Sequence, residues 1–318
     1  MLRSALATTM SPHVPLVQLA TKWQTDPFSV IALIVLLGFG AAYLVGVYRL
    51  AKKGRRWSQW RTASFLGGIL VAILALCSGV SYFSRSVFYV ETIQHTMLMY
   101  ASPVLFALGG PMTLWLQASE RRLQLFLVKI LHSRAFEIAT WPILVAAVSY
   151  VLMLTYFLSG LYTFSEEHQL FFNLMNVLFI LAGSVYWWPV VGLDPSRWKL
   201  SFPAKLGYLA TGIPVTTFLG LGLLSATTSI DPAINTLADT HAGGGALWVL
   251  GELFTLSAMG AVLVQLMHSE ERAAARYDRR MDHEQANLER EAELAKEREL
   301  ANQAGLAQQP AAPGTAPI

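Results

Sequence analysis

Long apolar stretches separated by short polar segments run through the first 269 residues of the chain. A helix needs about 20 predominantly apolar residues to cross the hydrocarbon core of a bilayer. Seven stretches meet this requirement, and they cover residues 28–48, 62–82, 91–116, 137–159, 168–190, 206–229 and 244–267. The pattern therefore predicts an all-α membrane protein, a bundle of seven transmembrane helices.

The two ends of the chain differ in character from the apolar stretches. Prolines and a histidine within residues 1–27 interrupt the apolar run of a signal peptide, so we expect a short external tail. Residues 269–304 are rich in Ala, Glu and Arg and contain neither Gly nor Pro, which predicts a charged helix. The composition of residues 305–318 predicts a disordered tail. Residues 28–268 are then the seven-span membrane domain.

The charge content excludes several classes of protein. Charged residues make up 14% of the chain, against about 25% in an ordinary soluble domain. Ten of the 20 acidic residues lie within residues 270–299, so the rest of the chain is more apolar still. A soluble enzyme, a disordered protein and a fibrous repeat are therefore excluded. The net charge of +3 does not indicate a nucleic-acid partner, and the single cysteine excludes a disulfide framework.

Lysine and arginine are distributed unevenly between the two sides of the predicted bundle. The loops 49–61, 117–136 and 191–205 and the C-terminal tail carry 20 of them, whereas the opposite side carries three. Cytoplasmic loops are enriched in these residues. The distribution predicts an N-terminus outside the cell and a charged C-terminal helix in the cytoplasm.

One polar group lies at the start of the third stretch. Glu91, His95 and Met99 are spaced i, i+4 and i+8, so they share one face of a helix. A carboxylate, an imidazole and a thioether in a row can bind a soft or borderline metal such as copper. The alternative is that His95 hydrogen-bonds to a neighbouring helix and that Met99 only packs.

Glu252 is the second polar group inside an apolar stretch. It lies about eight residues into the seventh stretch, roughly 12 Å deep at 1.5 Å per residue. A carboxylate without a partner costs several kcal/mol there. We expect Glu252 to hold a proton, to accept a hydrogen bond from another helix or to bind a cation. The preceding glycines, residues 243–245, allow helices to approach closely.

Other candidate ligands lie near the predicted outer surface. The outer third of the bundle holds, besides the residues above, Cys77, Met153, Met175 and Asn176. In the outer loops His168 follows an acidic pair and His241 follows Asp239, where they either capture a divalent cation or have no role. The sequence lacks the signatures of zinc proteases, nucleophile-elbow hydrolases and phosphate-binding loops.

Four segments resemble motifs of the CtaG family of cytochrome c oxidase assembly factors, the multi-span branch associated with caa-type oxidases. The segments are residues 94–111 (QHTMLMYASPVLFALGGP), 181–195 (LAGSVYWWPVVGLDP), 237–252 (LADTHAGGGALWVLGE) and 269–280 (SEERAAARYDRR). They occur in the family's order and span most of the chain. The resemblance implies a non-enzymatic protein of the bacterial plasma membrane and the respiratory chain. Its implied role is to assist maturation of a haem–copper oxidase, with an oxidase subunit and the bilayer as partners.

The resemblance also implies copper handling at the outer face, by histidines at the outer ends of the third and fifth spans. His95 and Glu252 match the family's motifs. Glu91, Phe172 and Asn176 stand where the family has further histidines, and Thr240 replaces a glutamine. These departures leave a sparse site of His95 with Met99 and Glu252.

Other functions are compatible with the same sequence. The outer polar groups also suit a transporter or channel for copper or another cation, and the bundle also suits a metal-free scaffold that binds an oxidase subunit. An intramembrane enzyme is disfavoured because no acid and base are paired at a recognisable spacing. A retinal-type receptor is excluded because the seventh stretch contains no lysine.

Overall fold

The computed structural model describes residues 14–307, which form α-helices and no β-strand. A lone antiparallel bridge pairs Trp23 with Ser78. In chain order the helices are α1 (Leu16–Thr21), α2 (Pro27–Lys52), α3 (Gln59–Cys77), α4 (Gly79–Ser84), α5 (Phe88–Thr96), α6 (Ser102–Gly109), α7 (Pro111–Ala118), α8 (Arg121–Leu131), α9 (Arg134–Ala139), α10 (Pro142–Leu158), α11 (Leu161–Glu167), α12 (Gln169–Val191), α13 (Phe202–Ala210), α14 (Gly212–Leu224) and α15 (Leu237–Ala307). A π-helical turn, Met97–Ala101, joins α5 to α6.

Six helical segments in the described part of the chain are long and apolar enough to cross a membrane. They become seven if α10 and α11, which meet at an angle of 72°, count as one bent span. The third segment runs from Phe88 to Ala118 through the π turn, and α13 and α14 together form another. The prediction of an all-helical protein with apolar spans is confirmed.

Several helix ends differ from the predicted bounds. The second stretch was expected to reach residue 82, but α3 ends at Cys77 because Ser78 is extended and caps α4 through its hydroxyl. The predicted fourth stretch starts at residue 137, but its helix, α10, begins at Pro142, since proline suits the first position of a helix. The predicted sixth stretch runs to residue 229, but its helix, α14, ends at Leu224.

The last span and the charged segment form one uninterrupted helix. α15 begins seven residues before the predicted seventh stretch and continues through the charged residues to Ala307. The chain divides into two units between Val262 and Leu263. The first unit contains the hydrophobic core. The second, residues 263–318, contains the remainder of α15. The expected disordered tail lies outside the described residues from position 308 onward.

Two aspartates from distant parts of the chain cap helix starts in the third span, one at its first residue and one at its interior break. At its first end, the Asp239 carboxylate accepts hydrogen bonds from the Phe88 and Tyr89 amides at 2.8 and 3.1 Å. At the interior break, Asp194 accepts from the Met112 and Thr113 amides at 3.2 and 2.7 Å. Each aspartate supplies an acceptor that free amides at a helix start require.

The π turn is held against α12 by close backbone packing. Trp187 Nε1 donates to the Met99 carbonyl at 3.1 Å. A side chain at Gly183 would overlap that same carbonyl, so glycine permits the approach. Gly243 in α15 likewise leaves room for the Phe88 ring. The expected role of the glycine run in close helix packing is confirmed, and together these contacts fix the position of α5.

Candidate functional site

Glu91, His95 and Met99 are all buried on the third span. Glu91 is fully inaccessible, and His95 and Met99 are 4% and 3% exposed. His95 lies seven residues after the first residue of α5, which places it about 10 Å along the helix axis. The predicted shared face is therefore an interior face of the bundle.

The His95 ring has one nitrogen bonded and the other free. Nδ1 lies 2.9 Å from the Glu91 backbone oxygen, which can only accept, so Nδ1 carries the proton in the neutral ring. Nε2 then presents a lone pair. This nitrogen is buried and has no hydrogen-bond partner. A buried nitrogen of this kind is costly unless something binds it.

A small cavity adjoins His95. Its volume is about 10 Å³, and its lining includes Met99 and Met153. Such a volume is at the lower limit for one water molecule. The two thioethers come from different helices, since Met153 belongs to α10. The cavity is thus lined by one histidine and two methionines, among other residues, and has the size of a single atom or ion.

Aromatic rings surround the imidazole, and two of them, Phe157 and Phe179, also line the cavity. The ring centroids of Phe179, Tyr156 and Phe157 lie 4.2, 4.9 and 5.3 Å from that of His95. These rings exclude water and restrict the orientation of His95. The surroundings are therefore soft and apolar, which suits a monovalent soft ion better than a hydrated divalent one.

Glu91 occupies a polar network one turn from His95. Tyr156 donates to Glu91 Oε1 at 2.5 Å, and its oxygen lies 2.8 Å from Ser165 Oγ. Glu91 Oε1 is 4.0 Å from His95 Nδ1, whereas Oε2 is buried without a partner. Ser165 belongs to α11. The carboxyl group thereby links the His95 helix to α10 and α11.

The short helix α11 is tied to three other parts of the bundle. Besides the Ser165 contact, Tyr162 donates to Asn235 Oδ1 at 2.9 Å. Arg85 Nη2 donates to the Glu166 backbone oxygen at 2.7 Å. These contacts hold α11 across the end of the bundle near Glu91.

Glu252 has its own partners, apart from the cavity. The hydroxyls of Thr216 and Thr217 on α14 lie 2.7 and 3.2 Å from Oε1. Trp248 Nε1 donates in turn to Thr217 Oγ1 at 3.2 Å. The expectation of a polar partner on another helix is confirmed. Glu252 does not line the cavity beside His95.

The remaining predicted ligands also lie apart from the cavity lining. Cys77 is buried, and its thiol donates to the Ser29 backbone oxygen at 3.3 Å. His168 is exposed and stacks on Phe164 at a centroid distance of 4.0 Å. His241 contacts the Ala226 backbone oxygen at 3.0 Å. Within residues 14–307, no three His, Cys, Asp or Glu side chains are arranged to hold a metal ion.

Two neighbours of His95 could not be identified as such from the sequence. Met153 stood out in the sequence only by its depth, and Tyr156 carried no signal at all, because sequence does not show which face of α10 meets α5. Gln94 Oε1 and both amide atoms of Asn176 are buried without partners. Buried polar atoms without partners thus occur at three residues of α5, namely Glu91, Gln94 and His95, and at Asn176 of α12.

Comparisons with known proteins agree with the arrangement of motifs. A family model described as cytochrome c oxidase caa3 assembly factor matches residues 41–269. Uncharacterized proteins of Mycobacterium bovis and Mycobacterium tuberculosis are each 28% identical over 303 residues, covering 88% of this chain and 45% of the relative. One from Mycobacterium leprae is 28% identical over 293 residues, covering 85% and 43%. The chain thus spans less than half the length of these curated relatives. No solved structure matches it.

Proposed function

Because the chain belongs to the family of cytochrome c oxidase caa3 assembly factors, we propose that it carries copper as cargo during assembly of a haem–copper oxidase. Family membership supports an assembly role rather than catalysis, with an oxidase subunit as the receiving partner. The copper step is the one that the resemblance implied, and in this chain it rests on the free His95 Nε2 in a residue that lines a cavity together with Met99 and Met153.

The ligand chemistry supports Cu(I) as the cargo. Imidazole and thioether are donors that Cu(I) accepts readily, whereas Mg²⁺ and Ca²⁺ require oxygen ligands. His95 presents its Nε2 lone pair because the Glu91 carbonyl holds Nδ1. A site with neutral ligands and no thiolate holds copper less tightly than a cysteine cluster. A protein that must pass its ion on benefits from that weakness.

We further propose that the protein lies in the bacterial plasma membrane with its N-terminus outside and its C-terminus in the cytoplasm. The distribution of 20 Lys and Arg against three supports this orientation. The His95 site then lies near the outer face. Protease added to intact cells should leave residues 270–318 uncut. Cleavage there from outside would show the opposite orientation.

Copper analysis of the purified, reconstituted protein tests the cargo directly. The protein is loaded with Cu(I) in competition with bicinchoninate, and bound copper is measured by mass spectrometry. We expect one copper per chain in the native protein and none above background in His95→Ala. His168→Ala and Cys77→Ser are matched controls that should retain full loading, since both residues lie outside the cavity lining.

The alternatives give different results in the same system. A copper transporter would move Cu(I) into sealed vesicles that contain the protein, whereas a carrier would bind copper without flux. A metal-free scaffold would bind no copper at all. In cells, His95→Ala should lower the yield of copper-replete oxidase, and added copper should partly restore it. Full oxidase activity in His95→Ala at limiting copper would refute the copper proposal and favour the scaffold.

A further inference from the structure

A long apolar groove is lined by residues that are all different from those of the His95 cavity. It has a volume of about 570 Å³ and is bounded by α2, α3, the segment α6–α7 and α12. Phe28 and Leu76 line one end, and Tyr43, Trp115 and Asp194 line the other. The groove arises where α2 and α12 leave a gap, and exposed side chains such as Val35 and Leu181 stand at its rim.

The groove is elongated along α2. Its 570 Å³ extend over about 22 Å, the rise of α2 between Phe28 and Tyr43. An elongated apolar space of this form suits an extended hydrocarbon chain.

The walls offer almost nothing to a polar occupant. Tyr43 donates its hydroxyl to the Gly109 carbonyl at 2.8 Å, and Ser184 donates to the Ile180 carbonyl at 2.7 Å. Asp194 is engaged by the two amides at the start of α7. These three groups are already paired, whereas Nε1 of Trp188, which also lines the groove, is buried without a partner. Since most of the wall is apolar, the groove favours an occupant that is apolar along most of its length.

A basic residue, Arg61, lies beside the Asp194 carboxylate at one end of the groove. Arg61 Nη1 and Asp194 Oδ1 both flank Gly110, which separates α6 from α7. The Arg61 guanidinium lies over the Trp57 ring at 5.0 Å. Arg61 ends the loop 49–61, which holds six Lys and Arg. Basic residues and tryptophans beside an apolar chain site are the features that meet an anionic lipid headgroup.

We propose that this groove binds one acyl chain of an anionic phospholipid, with the lipid phosphate beside Arg61. The lipid belongs to the leaflet at the Asp194 end, the predicted cytoplasmic side. It fills the gap between α2 and α12. This binding site is separate from the His95 cavity and does not depend on copper handling.

Lipid retention by the purified protein tests the proposal. Protein in detergent is incubated with equal amounts of phosphatidylglycerol and phosphatidylcholine, and retained lipid is counted by native mass spectrometry. We expect one phosphatidylglycerol per native chain. Ala32→Phe, which fills the groove, should lose it. Ala41→Phe is the matched control, because Ala41 is exposed on the same helix and does not line the groove.

Arg61→Gln tests the headgroup independently of the groove's shape. The preference for phosphatidylglycerol over phosphatidylcholine should fall about fivefold, the contribution of one basic residue near anionic lipid. Arg55→Gln, at an exposed position of the same loop, should change it less. Equal lipid retention by Ala32→Phe and Ala41→Phe would overturn the proposal, as would a native chain that retains no stoichiometric lipid.

A photo-crosslinker at position 35 distinguishes the remaining occupants in membranes. Crosslinks to phospholipid support the proposal. Crosslinks to a second copy of the chain or to an oxidase subunit would show that protein fills the groove, and would overturn it.

Discussion

His95 and Glu252 are two polar residues on apolar helices, and they differ in their hydrogen-bond partners. Glu252 Oε1 has two threonine hydroxyls within reach, and one of these threonines is itself bonded to Trp248. His95 keeps Nε2 buried and unpaired, and it lines a cavity together with Met99 and Met153. Both residues matched the family's motifs, so motif matching alone does not separate them.

The difference shows how to interpret a polar group inside a membrane bundle. A group with partners on a neighbouring helix joins two helices, and this structural role accounts for its presence. A group that folding leaves unpaired lowers stability by about 1–3 kcal/mol, and another contribution must account for its presence. We therefore propose that Glu252 serves helix packing and that His95 serves ligand binding.

The sharpest test of this comparison is His95→Phe. Phenylalanine fits an aromatic enclosure and removes the unpaired nitrogen, so we expect the free energy of unfolding to stay unchanged or to rise by about 1 kcal/mol. Copper binding should disappear. Thermal unfolding in detergent and Cu(I) competition provide the two measurements.

A fall of several kcal/mol in His95→Phe would contradict the assignment, because it would show that His95 stabilises the fold. His95→Gln provides the control for polarity. It keeps a polar group in the cavity, and it should show weakened copper binding without the gain in stability.

Glu252→Leu should give the opposite pattern. It removes the acceptor from Thr216 and Thr217, so we expect the free energy of unfolding to fall by about 1–3 kcal/mol. Copper affinity should not change. Glu252→Gln keeps an acceptor oxygen at the same position and should restore most of the stability. Loss of copper in both variants would move Glu252 into the metal site.

The thioethers should contribute less than the imidazole. Met99→Leu and Met153→Leu each remove one soft ligand, and we expect Cu(I) affinity to fall roughly tenfold in each, equivalent to about 1.4 kcal/mol. Leucine conserves the volume, so stability should change by less than about 1.5 kcal/mol. Met175→Leu is the control, since Met175 is buried on α12 but does not line the cavity.

The sequence predicted the helical fold because length and hydropathy are local properties. It also placed Glu91, His95 and Met99 on one face, since these residues lie on one continuous helical segment. It did not predict Met153 and Tyr156 as neighbours of His95, because the rotation of α10 depends on packing between helices. The sequence equally favoured Glu252 as a ligand, since the two threonines that pair with it lie 35 and 36 residues away.

The break after α3 and the bend between α10 and α11 were also missed. Ser78 and Ser159 lie within or beside apolar stretches and carry no strong signal of a helix end. Both positions have extended backbone, and their hydroxyls bond nearby backbone groups. The bend brings Ser165 to Tyr156 and thereby completes the network around Glu91.

The smallest expected effects come from the two aspartates that cap the third span. Asp239→Ala and Asp194→Ala each remove two amide contacts at a helix start, and each should lower the free energy of unfolding by about 1 kcal/mol. They should differ in copper binding. Asp239 fixes the first turn of the helix that carries Glu91 and His95, whereas Asp194 acts beyond the π turn. We expect Asp239→Ala to weaken Cu(I) binding and Asp194→Ala to leave it unchanged.

A pH series separates the charge of Asp194 from its role as a cap. Burial raises the pKa of Asp194, although the amides of Met112 and Thr113 and the charge of Arg61 act in the opposite direction. A raised folded-state pKa means that the stabilising contribution is complete below the ordinary value of about 3.9 and is lost as the pH rises through the folded-state pKa. The native protein should therefore gain stability relative to Asp194→Asn as the pH falls from 7 to 4. A constant difference between the two proteins would show that the folded-state pKa of Asp194 equals the unfolded one, and that the residue acts through hydrogen bonding alone.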